Sequence, residues 1–432
     1  MDDSNRRTTQ VSRSSGPHYG YLILALVSLS VFGSLGLARF GYTSVLPHMQ
    51  RSLHLDNAQA GQLQSWNLLG YLLTAVPAGV LAAHFGPRRV ISAGLLVTAG
   101  ALALTGLIPT FWGACLGRFL SGVGGAAGNV PAMGMLAAWF ATRRRGMAAG
   151  IGVGGSSLGL VVTGPLVPVV MERFGPEGWR TCWYLLGLMA AGVFALCALL
   201  LRNRPDEMGL GQVGAPRNGG TNDAKAGGEE LEIGFRAGWR MVYRSRQLWD
   251  LAVVYFAFGF SYIIYATFFI RYLVREGQMP GERAGMIWLT IGLASSASGC
   301  FWGWFSDRWG RKWALLSVFA LHGSAYLLFG ASLRPSAIYI SAGLFAISAW
   351  SVPALMAALS GDIFGSRLAP AALGLVTIVF GIGQALGPYV AGLIADAAGS
   401  FSPAFLLACA MAGAGGVASL YLRPPVFIGP RS

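Results

Sequence analysis

Two arginines lie inside long apolar stretches of the sequence, where a charged side chain needs a compensating role. Arg39 stands in SLGLARFGYTSVL and Arg118 in ACLGRFLSGVGG. A charged residue at the centre of a membrane-spanning helix costs about 2.5–3.5 kcal/mol on insertion scales. A guanidinium can donate two parallel hydrogen bonds to one carboxylate, which lysine cannot do. Both arginines are therefore candidates for binding an anion, and the alternative for each is snorkelling or bonding to helix carbonyls.

An amide side chain accompanies the two arginines at a similar depth. Arg39, Arg118 and Asn67 each lie about seven or eight residues from the same predicted membrane surface, or about 10 Å at 1.5 Å per residue. We therefore predict that the three side chains form one polar substrate site.

The second half of the sequence offers neutral partners for such a site. Gln384 falls near the middle of an apolar stretch, where an unsatisfied amide is costly, so it must bond another helix or face water. The other candidates are aromatic, and their alternative role is ordinary packing; they are Tyr262, Tyr265 and Trp350.

Acidic residues are missing from the interior of the apolar stretches. All 17 Asp and Glu residues fall in tails, loops or the ends of these stretches. A membrane-embedded enzyme would need a HExxH-type metal site or a paired acid and base there, and neither pattern occurs. No P-loop occurs either, since Lys225 and Lys312 are the only lysines. We predict no catalytic residue, no metal and no cofactor.

Twelve apolar runs of membrane-spanning length would position these side chains. Of the 432 residues, 54% are apolar and 11% are charged, against about 25% charged in soluble proteins. A helix needs about 20 apolar residues to cross a bilayer. The sequence therefore predicts an all-α membrane protein with spans 1 to 12 at 20–46, 59–83, 90–109, 111–138, 146–171, 180–201, 247–271, 283–305, 313–332, 336–361, 370–395 and 403–422.

The net charge of +14 is distributed by side of the membrane. Of the 31 Lys and Arg residues, 22 lie on the side of the two termini, 7 on the other side and two inside spans. This asymmetry predicts cytoplasmic termini in the inner (plasma) membrane. Attraction to anionic lipid explains the basic charge without a nucleic-acid partner.

The sequence repeats itself with an offset of 222 to 224 residues. Pro131 and Pro353 each stand in a V-P-A triplet, and GVLAAHFGPRR from Gly79 matches GWFSDRWGRKW from Gly303. We therefore predict two parallel six-helix bundles, the 6+6 architecture of rocking transporters. The predicted parts are a cytoplasmic tail at 1–19, bundles at 20–201 and 247–422, a cytoplasmic linker at 202–246 and a second cytoplasmic tail at 423–432.

GWFSDRWGRKW resembles the loop motif G-x-x-x-D-R-x-G-R-K of the major facilitator superfamily. GRFLSGVGGAA, with Arg118 at its arginine, resembles the second motif of that superfamily. The resemblance covers essentially the whole chain and implies the twelve-helix 6+6 fold. Weaker resemblances link WFATRRRGMAAGIGVGG and RNRPDEMGL to the monocarboxylate and oxalate–formate branches, and RFGYTSVLPHM to a poorly characterised group of bacterial facilitators.

The resemblance also implies a gate on the cytoplasmic side. Gly303 would let span 8 approach a neighbouring helix closely. Asp307 and Arg308 would pair with helix ends and charges of adjacent spans, and Arg367 is the predicted partner of Asp307. Arg311 belongs to the same motif and also fits a marker of topology.

We therefore expect a secondary transporter that moves a small organic anion, such as a carboxylate, by alternating access. The alternative is an efflux transporter for apolar or drug-like compounds, which the aromatic content leaves open. The expected partners are the anionic substrate, the lipid bilayer and a coupling proton or counter-anion, and we expect a monomer.

Overall fold

The computed structural model describes residues 18–215 and 243–422, with the side chains of all of them except 142, 143 and 365–371. The predicted tails and most of the predicted linker, 216–242, lie outside these ranges. The described chain is almost entirely helical. Spans 1 to 6 are Tyr19–Ser52, Asn57–Phe85, Pro87–Leu107, Phe111–Trp139, Thr142–Phe174 and Gly178–Leu200. Spans 7 to 12 are Arg246–Arg275, Gly281–Ser295 continued by Ser298–Trp309, Arg311–Ala331, Pro335–Phe364, Ala372–Ala398 and Ser402–Leu420.

Helix length, composition and packing together account for twelve crossings in the described part of the chain. Within the described ranges, nine segments are long and apolar enough to cross a membrane, and the bent pair that forms span 8 makes a tenth. One of the nine, Arg144–Leu200, has 57 residues and is interrupted by the turn Gly175–Glu177, so it supplies two crossings. Span 4, with 29 residues, packs against spans 2 and 3 and completes the twelve.

Two predicted boundaries are wrong. Span 1 continues to Ser52 rather than ending at 46. The loop predicted at 362–369 does not interrupt the helix, because Ser351–Ala398 is one helix of 48 residues that joins spans 10 and 11. The charges of Asp362 and Arg367 suggested a loop, but charged residues mark where a helix leaves the membrane and do not end the helix itself.

Span 1 changes its helical geometry at its centre. Tyr19–Val31 and Gly41–Ser52 are α-helical, and the nine residues between them, Phe32–Phe40, form a π-helix. Such wider turns are rare and frequently occur at functional sites. Arg39 lies in this π-helical segment.

Glycines bring span 5 against the π-helical segment. A Cβ added at Gly159 would come within 2.3 Å of the Gly36 Cα, and one added at Gly155 within 2.0 Å of the Ser28 carbonyl oxygen. Only residues without a side chain allow helices to approach this closely. The GIGVGGSSLG sequence of span 5 therefore helps to fix where the π-helical segment lies.

The two bundles meet tightly at one end of the molecule, which we call the sealed end and define by Gln50, Asn57, Arg271 and Asp396. Hydrogen bonds join the bundles there, and Cβ atoms added at Gly61 and Gly392 would clash with backbone of the opposite bundle.

The opposite end, which we call the open end, carries Gly79, Gly134 and Gly303. Apart from the adjacent backbone of its own helix, a Cβ added at any of these glycines would meet no described atom within 4 Å. Interbundle hydrogen bonds among the described residues are confined to the sealed end and the middle of the molecule, as at Ser157 and Ser295. The bundles therefore diverge toward the open end.

Candidate functional site

Arg39 lies between the two bundles near the middle of the membrane. It stands 13 residues before Ser52, or about 20 Å from the sealed end, which is deeper than predicted because span 1 is longer. Only 6% of the residue is exposed, and its guanidinium carbon lies 4.7 Å from the centre of the Tyr71 ring. The Tyr262 hydroxyl of the opposite bundle lies near the Arg39 guanidinium. Two guanidinium nitrogens, Nε and Nη2, have no hydrogen-bond partner among the described residues.

Three predicted residues of the second bundle surround Arg39. The amide of Gln384 donates a hydrogen bond to the Tyr262 hydroxyl. The Trp350 ring lies 6.4 Å from the Tyr262 ring and 5.3 Å from the ring of Phe40, the neighbour of Arg39. The structure thus brings Arg39, Tyr262, Trp350 and Gln384 together at the interface of the bundles, and we call these four residues the central cluster.

Tyr265 lies elsewhere, in the interior of the second bundle. Its ring packs 4.5 Å from the Phe345 ring and 4.9 Å from the Phe329 ring, and its hydroxyl is 2.8 Å from the Ser341 hydroxyl. Tyr262 and Tyr265 are only three residues apart on span 7, but Tyr262 lies near Arg39 of the first bundle, whereas the described contacts of Tyr265 are made within the second bundle.

Arg118 and Asn67 lie inside the first bundle, behind Arg39. Arg118 is fully buried and donates hydrogen bonds to the Ala38 carbonyl and, at 2.6 Å, to the Gln64 side-chain oxygen. The Asn67 amide donates to the Ser121 hydroxyl at 2.8 Å. The expected common site of three side chains is therefore divided, because depth along a helix does not specify the face on which a side chain lies.

Three further polar residues, Tyr71, Asn129 and Ser157, adjoin the central cluster and were not predicted for this site. The Asn129 amide donates at 2.8 Å to the hydroxyl of Tyr71, whose ring lies under Arg39. The Trp350 indole donates at 2.9 Å to the Ser157 hydroxyl across the interface. The V-P-A triplet places Asn129 near a kink, but serine and tyrosine within apolar runs give no distinct signal.

The positive charge of Arg39 has no acidic partner in the part of the chain that the structure describes. The ion pairs found there join Arg180 to Glu177, and Arg311 to Asp307 and Asp362. A cation held in a low-dielectric interface without a counter-charge attracts anions.

Sequence comparison assigns the chain to a family. The family model of the Major Facilitator Superfamily matches residues 27–293, and that of the Uncharacterised MFS-type transporter YbfB matches residues 236–420.

The chain belongs to the major facilitator superfamily.

Two relatives match along nearly their whole length. The probable sulfoacetate transporter SauU of Cupriavidus necator is 25% identical over 94% of each chain. The hexuronate transporter of Bacillus subtilis is 23% identical, covering 90% of this chain and 91% of that protein. A solved bacterial homologue of the human lysosomal transporter Spinster, inward-facing and unoccupied, has a TM-score of 0.70 at 18% identity, covering 94% of this chain and 95% of that one.

These findings confirm the predicted family and the twelve-helix 6+6 fold. The major facilitator described here is a multi-pass membrane protein and a secondary transporter, not an enzyme.

At the sealed end of this major facilitator, a polar network joins four helix ends. Arg271 of span 7 donates to the Gln50 side-chain oxygen at 2.6 Å and to the Asn57 side-chain oxygen at 3.0 Å. The Asp396 carboxylate of span 11 accepts from the backbone N–H groups of Asn57 and Ala58 at 2.9 and 2.7 Å. A carboxylate at the start of a helix is stabilised by the helix dipole. Sequence analysis missed this network, because its members lie far apart in loops and helix ends.

At the open end, the loop motif forms ion pairs within the second bundle. Arg311 pairs with Asp307 and, at 2.9 Å, with Asp362, which the sequence analysis did not include. Arg308 lies 5.7 Å from the Trp309 ring centre. The side chain of Arg367, the predicted partner of Asp307, lies outside the described residues. A Cβ added at Gly303 would meet no described atom within 4 Å in this conformation, so a close helix approach there stays a prediction for the state in which this end is closed.

Proposed function

We propose that this protein transports a small organic anion bearing a carboxylate, and that Arg39 binds that carboxylate. The observation that supports the proposal most directly is the guanidinium of Arg39, which lies between the bundles with Nε and Nη2 free of hydrogen bonds. These two nitrogens share one edge of the guanidinium plane and can donate in parallel to one carboxylate. No described acid competes for them.

The names of the relatives support an anionic substrate. They include probable sulfoacetate, hexuronate and probable L-galactonate transporters. The remaining groups of the central cluster are neutral. Tyr262, Gln384 and Trp350 would therefore contribute hydrogen bonds and shape, and Arg39 would contribute the charge.

Transport would proceed by alternating access between the two ends. The sealed-end network of Arg271 and Asp396 would break when that end opens. The open end would then close around the loop motif, where we propose that Asp307, Arg308, Arg311, Arg367 and Gly303 form the gate. We further propose that the open end faces the cytoplasm of an inner-membrane protein, in agreement with the basic residues on that side and with the inward-facing structural relative.

The alternative, efflux of apolar compounds, would use the aromatic rings of the second bundle. Phe258 stacks 4.7 Å from the Tyr262 ring, and Tyr255 stacks 4.2 Å from the Phe380 ring. Phe258 and Tyr255 stack on other rings of their own bundle, whereas Arg39 offers guanidinium donors without a described partner at the interface of the bundles. This favours the anion.

Counterflow in proteoliposomes would test the proposal. Vesicles loaded with one carboxylate should accumulate radiolabelled lactate, sulfoacetate or glucuronate, and repeating the assay with a proton gradient would show whether protons are coupled. Uptake of a neutral apolar dye, with none of any carboxylate, would contradict the proposal.

A further inference from the structure

A second cationic cavity lies at the open end, away from the interface of the bundles. It has a volume of about 690 Å³ and opens between the start of span 3 and the end of span 6. Its lining residues are Phe85, Arg88, Arg89, Ser92, Ala198 and Asn203. Five of them belong to the first bundle and Asn203 follows its last span, so the cavity is distinct from the central cluster.

Arg88 and Arg89 give this cavity two positive charges. The Arg88 guanidinium is fixed in place, because Nε and Nη2 donate to the Ala198 carbonyl at 3.2 and 2.6 Å. Arg89 is exposed. Neither arginine takes part in an ion pair within the described ranges. The Glu207 carboxylate, which is not part of the lining, accepts hydrogen bonds from the Asn203 side-chain amide at 3.1 Å and from its backbone N–H at 3.2 Å.

A buried hydroxyl in the same lining has no partner. Ser92 is 9% exposed, and its Oγ makes no hydrogen bond to any residue that the structure describes. It lies one helical turn after Arg88, on the same side of span 3. Buried polar groups are usually hydrogen-bonded, so this hydroxyl is available to a ligand that carries acceptor oxygens. The cavity also lies at the beginning of the helix Pro87–Leu107, where the helix dipole favours an anion.

Exposed apolar side chains lie close to the lining residues along spans 3 and 6. Leu199 of span 6 is 68% exposed, and Leu96 of span 3 and Phe85 are also exposed. In a membrane protein such side chains face lipid. The cavity thus combines a cationic, hydroxyl-bearing base with an apolar flank that acyl chains can contact.

From this combination we propose that the cavity binds the phosphate of an anionic phospholipid. Arg89 and the Ser92 hydroxyl bind the phosphate oxygens, Arg88 adds its fixed charge, and the acyl chains lie along Leu96 and Leu199. Basic pockets between membrane helices on the cytoplasmic side have the chemistry that binds such headgroups.

Native mass spectrometry of the full-length protein in detergent tests this assignment. The protein is mixed with phosphatidylglycerol or with phosphatidylcholine, and the bound lipid is counted. We expect one phosphatidylglycerol to be retained in preference to phosphatidylcholine. Arg89→Gln should weaken that retention about fivefold, the effect of one cation beside an anionic surface, and Ser92→Ala should weaken it further. The matched control is Arg145→Gln, which removes another exposed cation from the same end.

Two further measurements are needed. Binding of inorganic phosphate shows whether the phosphate must belong to a lipid, and the melting temperature shows whether the variants remain folded. The lipid assignment would be overturned if inorganic phosphate bound at this site and phosphatidylglycerol were not retained in preference to phosphatidylcholine. Equal retention by wild type and by the Arg89→Gln/Ser92→Ala double variant, with an unchanged melting temperature, would overturn the site. Preferential loss of phosphatidylglycerol from the double variant at an unchanged melting temperature supports it.

Discussion

At the scale of single residues, the geometry of the Arg39 side chain is expected to matter more than its charge. Arg39→Lys keeps the positive charge but loses the two parallel donors, and hydrogen bonds to charged groups contribute about 1.5–3 kcal/mol. We expect substrate affinity to fall about tenfold or more in Arg39→Lys and further in Arg39→Gln. Binding of a radiolabelled carboxylate to the purified protein measures this.

The control for this prediction is Arg173→Lys, an exposed arginine at the sealed end that should leave affinity unchanged. Wild-type affinity in both Arg39→Lys and Arg39→Gln would show that Arg39 does not bind the substrate.

Arg118 is expected to act on stability, because its contacts lie within one bundle. Arg118→Met would leave the Ala38 carbonyl and the Gln64 oxygen without their donor, at a cost of about 1–3 kcal/mol for each buried group. We expect a clear decrease in melting temperature, whereas Arg39→Gln should melt like the wild type. A scanning-fluorimetry melt of both variants distinguishes them, and equal melting of Arg118→Met and wild type would contradict this role.

The sequence predicted the chemical type of these residues better than their environment. Arginine within an apolar run indicates a functional or structural role, and depth can be counted from the residue number. The face of the helix cannot be counted through a π-helical segment, because each wider turn rotates the following residues. Depth alone, without the face of each helix, made Arg39 and Arg118 seem to share a site that the structure divides.

At the scale of helices, the position of Arg39 depends on how closely spans 1 and 5 approach. Gly159→Ala would place a Cβ within 2.3 Å of the Gly36 Cα and force the π-helical segment away. Overpacking of this kind costs about 1–3 kcal/mol. We expect Gly159→Ala to lower both the melting temperature and substrate affinity.

The matched control for this prediction is Gly146→Ala in the same span, where the added Cβ meets no described atom within 4 Å. That variant should behave like the wild type in both measurements. If Gly159→Ala also behaves like the wild type, the packing of span 5 does not determine where Arg39 lies.

The apolar runs predicted where helices exist but not where they end. The length of an apolar run reflects the thickness of the hydrocarbon core, whereas a helix can continue beyond the membrane surface. Span 1 therefore extends to Ser52, and spans 10 and 11 share one helix, Ser351–Ala398. The break within span 8 has no counterpart in hydropathy at all.

At the scale of the whole molecule, the internal repeat predicted two related bundles, and the comparisons confirm the fold. The repeat gives no information on which end is sealed, because that depends on contacts between bundles. The residues that make those contacts, such as Arg271 and Asp396, are not part of the repeated motifs. Conformation is thus the property that the sequence left open.

The sealed-end network is expected to set the balance between the two conformations of the transporter. Asp396→Asn removes the charge that the start of span 2 stabilises, and Arg271→Gln removes two donors to Gln50 and Asn57. Each variant weakens contacts between bundles and leaves each bundle intact. A ligand-free two-state equilibrium shifts about tenfold for each 1.4 kcal/mol lost by one state. Both variants should therefore increase the population in which the sealed end is open.

Double electron–electron resonance would report this shift as a longer distance between two spin labels. The labels are attached to cysteines introduced at Arg51 and Gln278, which are exposed and lie one in each bundle. The measurement uses a protein whose native cysteines are replaced by alanine. Glu282→Gln, which removes an exposed carboxylate from the same end, is the control and should leave the distance distribution unchanged. If Asp396→Asn and Arg271→Gln also leave it unchanged, the contacts that hold this end closed are the apolar ones. In that case the close packing at Gly61 would hold the sealed end closed, since a Cβ added there would lie 2.0 Å from the Pro388 carbonyl oxygen.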